Sequence, residues 1–203
     1  GVRYVSAASS LKSSHCDREY SVTMTGLQPA LGAGFGCGTI VGMDSLRPRR
    51  SVLFMPGANA RALEKARSID CDGIIIDLED AVAPDLKVEA RERAAGVVKE
   101  HPYGYREVAI RVNGMDTQWY HDDLVAAVAA GPDAIAVPKV SSAEQVRAIV
   151  ADMEAAGADK SVKLWAMIET PRAVLDCLDI AEASDRLTAV SYTHLTLPTK
   201  RIV

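Results

Sequence analysis

Carboxylates and cations recur in this chain in one kind of place, directly after short apolar runs. The densest case is Gly73-Ile74-Ile75-Ile76-Asp77-Leu78-Glu79-Asp80, where three acids follow three isoleucines. The β-branched triplet suits a strand covered on both faces, as in a parallel sheet. An apolar strand giving way to clustered carboxylates has the polarity expected where a βα loop opens into an active site. Read alone, the stretch fits a buried strand with a solvated acidic turn equally well. The layout recurs, however. Arg111 and Asn113 close the run from Glu107, Lys139 closes the run from Asp133, and Glu169 closes the run from Lys163. At the strand ends of a parallel barrel these groups converge on one face, so acids and cations from four runs would share one rim.

The elements that must position them alternate. Ser51–Met55 reads as a strand stopped by Pro56-Gly57, and Ala58–Ser68 as a helix with Ala62, Leu63, Ala66 and Ile69 at helical spacing. After the isoleucine strand, Pro84 opens a helix whose apolar face is Val88, Ala94, Ala95 and Val98. Trp119–Ala130 is helical with Leu124, Val125 and Val128 inward, and Gly131-Pro132 stops it. Ser141 with Glu144 forms a capping-box signature for the next helix, striped by Val146, Ile149, Val150 and Met153. A last helix is expected near Ala173–Ala181. Strand and helix alternate five times, which predicts an α/β fold, a (β/α) barrel or a doubly wound sheet.

With 203 residues the chain is shorter than the ~250 typical of a closed (β/α)8 barrel. A net charge of −4 gives no electrostatic reason for a nucleic-acid partner, and no apolar run reaches the ~20 residues of a membrane span. The four cysteines lack CxxC spacing, which fits a reducing, cytoplasmic setting. Residues 1–42 are rich in Ser, Gly and Thr and show no sustained period. They are expected to be a flexible upstream segment, with Met43 as the natural start. The glycine cluster from Gly32 to Gly38 lacks the flanking strand and helix that a phosphate cradle needs.

Five motifs then stand in register: Arg50-Ser51-Val52-Leu53-Phe54-Met55-Pro56-Gly57, Asp77-Leu78-Glu79-Asp80-Ala81-Val82, Arg111-Val112-Asn113-Gly114, Val137-Pro138-Lys139-Val140 and Ile168-Glu169-Thr170-Pro171. Together, from about Arg47 to Ala189, they resemble the citrate lyase β-subunit-like family of CoA-ester lyases, which includes malyl-CoA and citramalyl-CoA lyases. The resemblance implies a TIM-like (β/α)8 barrel, here incomplete with about five to six strands. It also implies Mg²⁺ and cleavage or formation of a carbon–carbon bond in a β-hydroxyacyl-CoA. By that analogy Glu169 ligates the metal and Arg111 holds the oxygen-rich end of an acyl-CoA or 2-keto acid substrate. Glu79 and Asp80 act around the metal through its waters, and Arg50 is a further candidate contact to substrate. A homo-oligomer is implied for the full-length form. The residue types suit the chemistry: Mg²⁺ takes oxygen ligands and keeps waters, and Arg grips a carboxylate bidentately where Lys cannot.

The family's next motif, a glycine-containing segment ending in a second metal-ligating Asp, does not follow. Beyond Asp185 the chain has no Asp or Glu, and Val190–Leu195 resembles translated adapter sequence. The division expected is therefore 1–42 upstream, 43–189 a partial barrel and 190–203 an artefactual tail, with His194 a weak alternative ligand. Such a fragment is expected to be inactive and to leave sheet edges and apolar surface exposed. Two alternatives to the lyase stay open: a malyl-CoA thioesterase on the same scaffold and an inactive CoA-ester-binding protein.

Overall fold

The isoleucine run forms the middle of the sheet. In a computed structural model that describes residues 3–7, 21–23, 49–100 and 102–192, Gly73–Asp77 is strand β4, and all five of its residues are buried. It pairs in parallel with β3 (Ser51–Pro56) on one side and β5 (Glu107–Arg111) on the other. The order continues through β6 (Ala134–Val137), β7 (Lys163–Met167) and β8 (Leu187–Tyr192), all parallel. The helices follow their strands: α1 (Ala60–Ala66), α2 (Lys87–Lys99), α3 (Tyr120–Ala130), α4 (Ala143–Ala155), then the short α5 (Pro171–Leu175) and α6 (Cys177–Ala181).

Period-two alternation sorts the strand residues into two cores. Ile74, Ile76, Ile110, Ile135, Val137 and Leu164 face outward beneath the helices, packing with residues such as Leu63, Ala90, Leu124 and Ile149. Ile75 faces inward with Val52, Ala109, Ala134, Ala136, Trp165 and Ala189. Each buried isoleucine contributes about 1.5–3 kcal/mol relative to exposure. Four alanines inside leave the space that the Trp165 indole, 1% exposed, fills.

The six parallel strands are an open sheet, the incomplete barrel that the motif order implies. Its pairing ring closes through two short strands of the amino-terminal segment. β1 (Arg3–Ala7) runs parallel to β8, β2 (Ser21–Thr23) antiparallel to β3, and the two are antiparallel to each other. Both sheet edges expected to be open are therefore paired by these two short stretches. The glycine cluster, Met43, His194 and the residues beyond Tyr192 lie outside the described residues. β8 also runs past the expected boundary at 189, with Val190 buried outward and Ser191 paired to Met167. Leu175 on α5 and Leu178 on α6 are exposed to solvent.

Helix boundaries follow local capping. Asn59 accepts from Ala62 N at the start of α1, Thr170 from Ala173 N at α5, and Gly131 ends α3 with φ 70°. The α4 cap is Ser142 rather than Ser141: Ser142 accepts from Gln145 N, and Gln145 Oε1 accepts from Ser141 N. The expected box is displaced by one residue because Gln145 reaches back as well as Glu144 would. The expected single helix over 173–181 breaks at Asp176.

The amino-terminal mouth of the barrel is sealed by charge. Arg49 donates from Nε and Nη2 to the Glu107 carboxylate and from Nη1 to Thr188 O, with its guanidinium 5.2 Å from the Trp165 ring. Beside it, the Arg50 side chain and the backbone N–H groups of Arg50 and Ser51 converge on Asp72. That carboxyl lies below its ordinary range, chiefly through the Arg50 side-chain hydrogen bond. Two outcomes follow from these contacts. Arg49→Met should destabilise the protein by about 3–5 kcal/mol in urea unfolding, because Glu107 is left buried without its partner. Asp72→Asn should lower the thermal midpoint at pH 7, and the difference should close as pH falls below about 4. A depressed folded-state pKa gives stability that is present above the unfolded value and lost on acidification through the folded one.

Candidate active site

The carboxyl-terminal ends of β4 and β5 are hydrogen-bond neighbours, so Asp77 and Arg111 face each other across one register step. Arg111 donates from Nε to Asp77 Oδ1 (2.7 Å) and from Nη2 to Oδ2 (2.6 Å), a bidentate pair with both residues buried. The Glu79 and Ala81 backbone N–H groups also donate to Asp77, folding the acidic turn over the pair. The third arm of Arg111, Nη1, stands 3.0 Å from Glu79 Oε2, and the Phe54 ring lies 5.1 Å from the guanidinium. Burial alone would lower the Arg111 pKa. The hydrogen bond and charge of Asp77, then Glu79, outweigh it and hold the group above its ordinary value.

Lys139 extends the cluster toward β7. Its Nζ lies 3.0 Å from Glu79 Oε1 and its backbone N–H donates to Glu169 Oε2 at 3.3 Å. It does so with φ 57°, the one non-glycine residue among those described with positive φ, a conformation that strains a side chain with a Cβ. Glu79 raises the Lys139 pKa. Burial pushes the Glu79 carboxyl up from its ordinary value, more than Arg111 and Lys139 pull it down. Asp77, Glu79, Arg111, Lys139 and Glu169 thus form one connected rim. Asp80 is beside it, exposed to solvent. A cleft of about 330 Å³ lined by Met115, Asp116, Pro138, Lys139 and Gln145 borders the rim. A slightly larger depression, about 360 Å³, lies at the opposite end near Arg106 and Asp159, away from these groups.

Of the residues singled out from the sequence, the structure brings Glu79, Arg111 and Glu169 together and leaves Arg50 apart. Arg50 precedes β3, so it sits at the amino-terminal mouth, engaged with Asp72. Two further groups escaped the sequence reading. Lys87 is 5% exposed and donates to Leu78 O, Glu79 O and Asn113 Oδ1, and burial lowers its pKa against the pull of Asp77, Asp123 and Glu79. Asp123, fully buried, accepts from Asn113 and from Arg91 Nε.

The HpcH/HpaI aldolase/citrate lyase family matches residues 50–194, which takes in every strand of the rim. The chain belongs to that family. Among curated members of the HpcH/HpaI aldolase/citrate lyase family, a (3S)-malyl-CoA thioesterase of Cereibacter sphaeroides is 48% identical over 143 residues, 70% of this chain and 48% of that protein. An L-malyl-CoA/beta-methylmalyl-CoA lyase of the same species is 36% identical, across 71% of this chain and 48% of the other. A solved citrate lyase beta subunit from M. tuberculosis, complexed with oxaloacetate and magnesium, matches with TM-score 0.55 and 28% identity over 70% of this chain and 56% of that one. The chain spans about half the length of the curated relatives it matches.

The strain at Lys139 gives a direct comparison. Lys139→Gly should be more stable than Lys139→Ala by about 1 kcal/mol in chemical unfolding, since both lose the Glu79 contact but only Gly relieves the left-handed backbone.

Proposed function

We propose that the full-length protein is a Mg²⁺-dependent carbon–carbon lyase that cleaves or forms a β-hydroxyacyl-CoA such as malyl-CoA, citramalyl-CoA or citryl-CoA. The observation that carries this reading is the Asp77–Arg111–Glu79–Lys139–Glu169 rim at the carboxyl-terminal strand ends of a member of this family.

The rim fits a divalent ion in part. Asp77 is engaged by Arg111 and two backbone N–H groups, and Glu79 stands against two cations. Among the described residues no group of three or more His, Cys, Asp or Glu side chains could hold a metal. Glu169 is the carboxylate assigned to the ion, and one carboxylate touches hydrated Mg²⁺ without fixing its geometry. When bound, the ion supplies Lewis-acid stabilisation to an oxygen that gains charge.

The chain's own groups do the positioning. Asp77 occupies the Nε–Nη2 edge of Arg111 and so fixes the plane of the guanidinium. A guanidinium held in this plane suits a substrate carboxylate or keto oxygen, and Glu79 is the partner such a group would share at Nη1. Glu79, between Arg111 and Lys139, balances their charge, and the exposed Asp80 would act around the ion through its waters. Arg50, engaged with Asp72 at the opposite mouth, is given no role in this reading. The same reading includes a homo-oligomeric cytoplasmic enzyme. Among the described residues no helix is long and apolar enough to cross a membrane.

A thioesterase acting on malyl-CoA is the second reading, favoured by the 48% identity to a malyl-CoA thioesterase. Malyl-CoA separates the two: glyoxylate signals the lyase, malate with free CoA the hydrolase. We expect no turnover from the 203-residue chain, and Mg²⁺-dependent glyoxylate release once a family-like carboxyl-terminal half is joined to it. Glu169→Ala in the joined protein should then lose at least about 100-fold in rate. Chelator-insensitive cleavage would refute the metal assignment, and full turnover by the 203-residue chain would refute the need for a carboxyl-terminal half.

A further inference from the structure

Lys87 is a buried cation that the proposed chemistry does not use. Its neighbour Val88, on the same helix, is 56% exposed while Lys87 is 5% exposed, so α2 turns a lysine inward in preference to a valine. The ammonium uses its three donors on Leu78 O (2.7 Å), Glu79 O (2.6 Å) and Asn113 Oδ1 (2.7 Å), with the Trp119 ring 5.3 Å away. Asn113 is itself held: its N–H and its Nδ2 donate to Asp123 Oδ2, and Nδ2 also to Leu78 O. Asp123 is tied in turn to Arg91 of α2.

Glu79 is therefore fixed at both ends of its own peptide. Its N–H is held by Asp77, the residue that orients Arg111, and its carbonyl by Lys87 and by Val82 N. We propose that Lys87 is a positioning residue, whose grip on the Leu78 and Glu79 carbonyls sets where the Glu79 carboxylate stands against Arg111 and Lys139. This rests on the reading of that rim as the reacting face, but its test needs no turnover, so it fails or holds separately from the lyase assignment. A lysine that merely satisfied buried carbonyls would, when removed, lower protection throughout the barrel. A positioning lysine acts on the turn and on the guanidinium it faces.

The experiment is amide hydrogen exchange together with the Arg111 Nε–Hε resonance in ¹⁵N-labelled protein, comparing the parent with Lys87→Met and Lys87→Arg. In Lys87→Met the Glu79, Ala81 and Val82 amides should exchange at least about tenfold faster and the Arg111 resonance should move. The Ile135 and Leu164 amides should keep their protection, and Lys87→Arg should recover part of the loss. If Lys87→Met does not fold, Trp119→Leu, which removes the ring but keeps the ammonium, should give a smaller acceleration at the same three amides. Unchanged turn amides and an unmoved Arg111 signal in a folded variant would overturn the proposal. So would a loss of protection spread evenly over β6 and β7.

Discussion

The Asp77–Arg111 pair is the contact on which the rest of the rim depends. Burying two charges costs several kcal/mol per ion after relaxation, and only near-complete hydrogen bonding offsets that. Here the carboxylate takes two bonds from the guanidinium and two from backbone N–H groups, so each oxygen is served twice. The backbone bonds matter as much as the ionic ones. They come from the turn that carries Glu79, so the chain cannot form the pair without also presenting a second carboxylate beside it. Strand register does the rest, because parallel pairing of β4 with β5 sets Asp77 opposite Arg111.

β5 displays the design of the whole interior. Its inward positions read Glu107, Ala109 and Arg111, from the amino-terminal mouth to the carboxyl-terminal rim. The Glu107 end is closed by Arg49 and the Arg111 end is organised by Asp77, while the alanine makes room for Trp165 between them. Charge is thus confined to the two mouths, with an apolar layer separating them. The two mouths differ in what they leave available. Asp72 and Arg50 at the lower mouth are engaged with one another, whereas the upper mouth gathers two cations and three carboxylates beside a cleft. Lys139 is held there in a strained backbone conformation, and strain of that kind persists where the surrounding structure over-determines it.

What was legible in the sequence follows the same physics. The Ile74–Ile76 run announced a doubly covered strand, and the polar residues after each run announced the rim, because strand period and βα polarity are local properties. Arg50 was misplaced although the information was present: a residue before a strand lies at the opposite mouth from a residue after it. Lys87 was hidden by helical phase. Reading α2 from its apolar residues put Val88 and Ala95 inward, yet the buried face is Lys87, Ala90, Ala94 and Val98. The three acceptors that make a buried ammonium tolerable come from the loops after β4 and β5, and only the fold brings them to one point. Asp123 was hidden in the same way, reading as an acid in the first turn of α3 until Asn113 and Arg91 are seen beside it. Val125 was expected inward with Leu124 and is instead exposed, the same phase error by one residue. The pairing of β1 and β2 with the sheet edges had no periodic signature at all.

The contacts of the rim join the ends of β4, β5, β6 and β7, with Lys139 after β6 reaching past β5 to Glu79 after β4. None needs a residue from the far side of a closed barrel. A chain that spans about half the length of its curated relatives therefore carries all of these contacts, which limits what they can decide. A thioesterase, a lyase and a citrate lyase subunit each match 70% or more of the chain, at 48%, 36% and 34% identity. The choice between breaking a carbon–carbon bond and hydrolysing a thioester turns on whether water reaches the thioester carbonyl, which is a matter of how the mouth is covered.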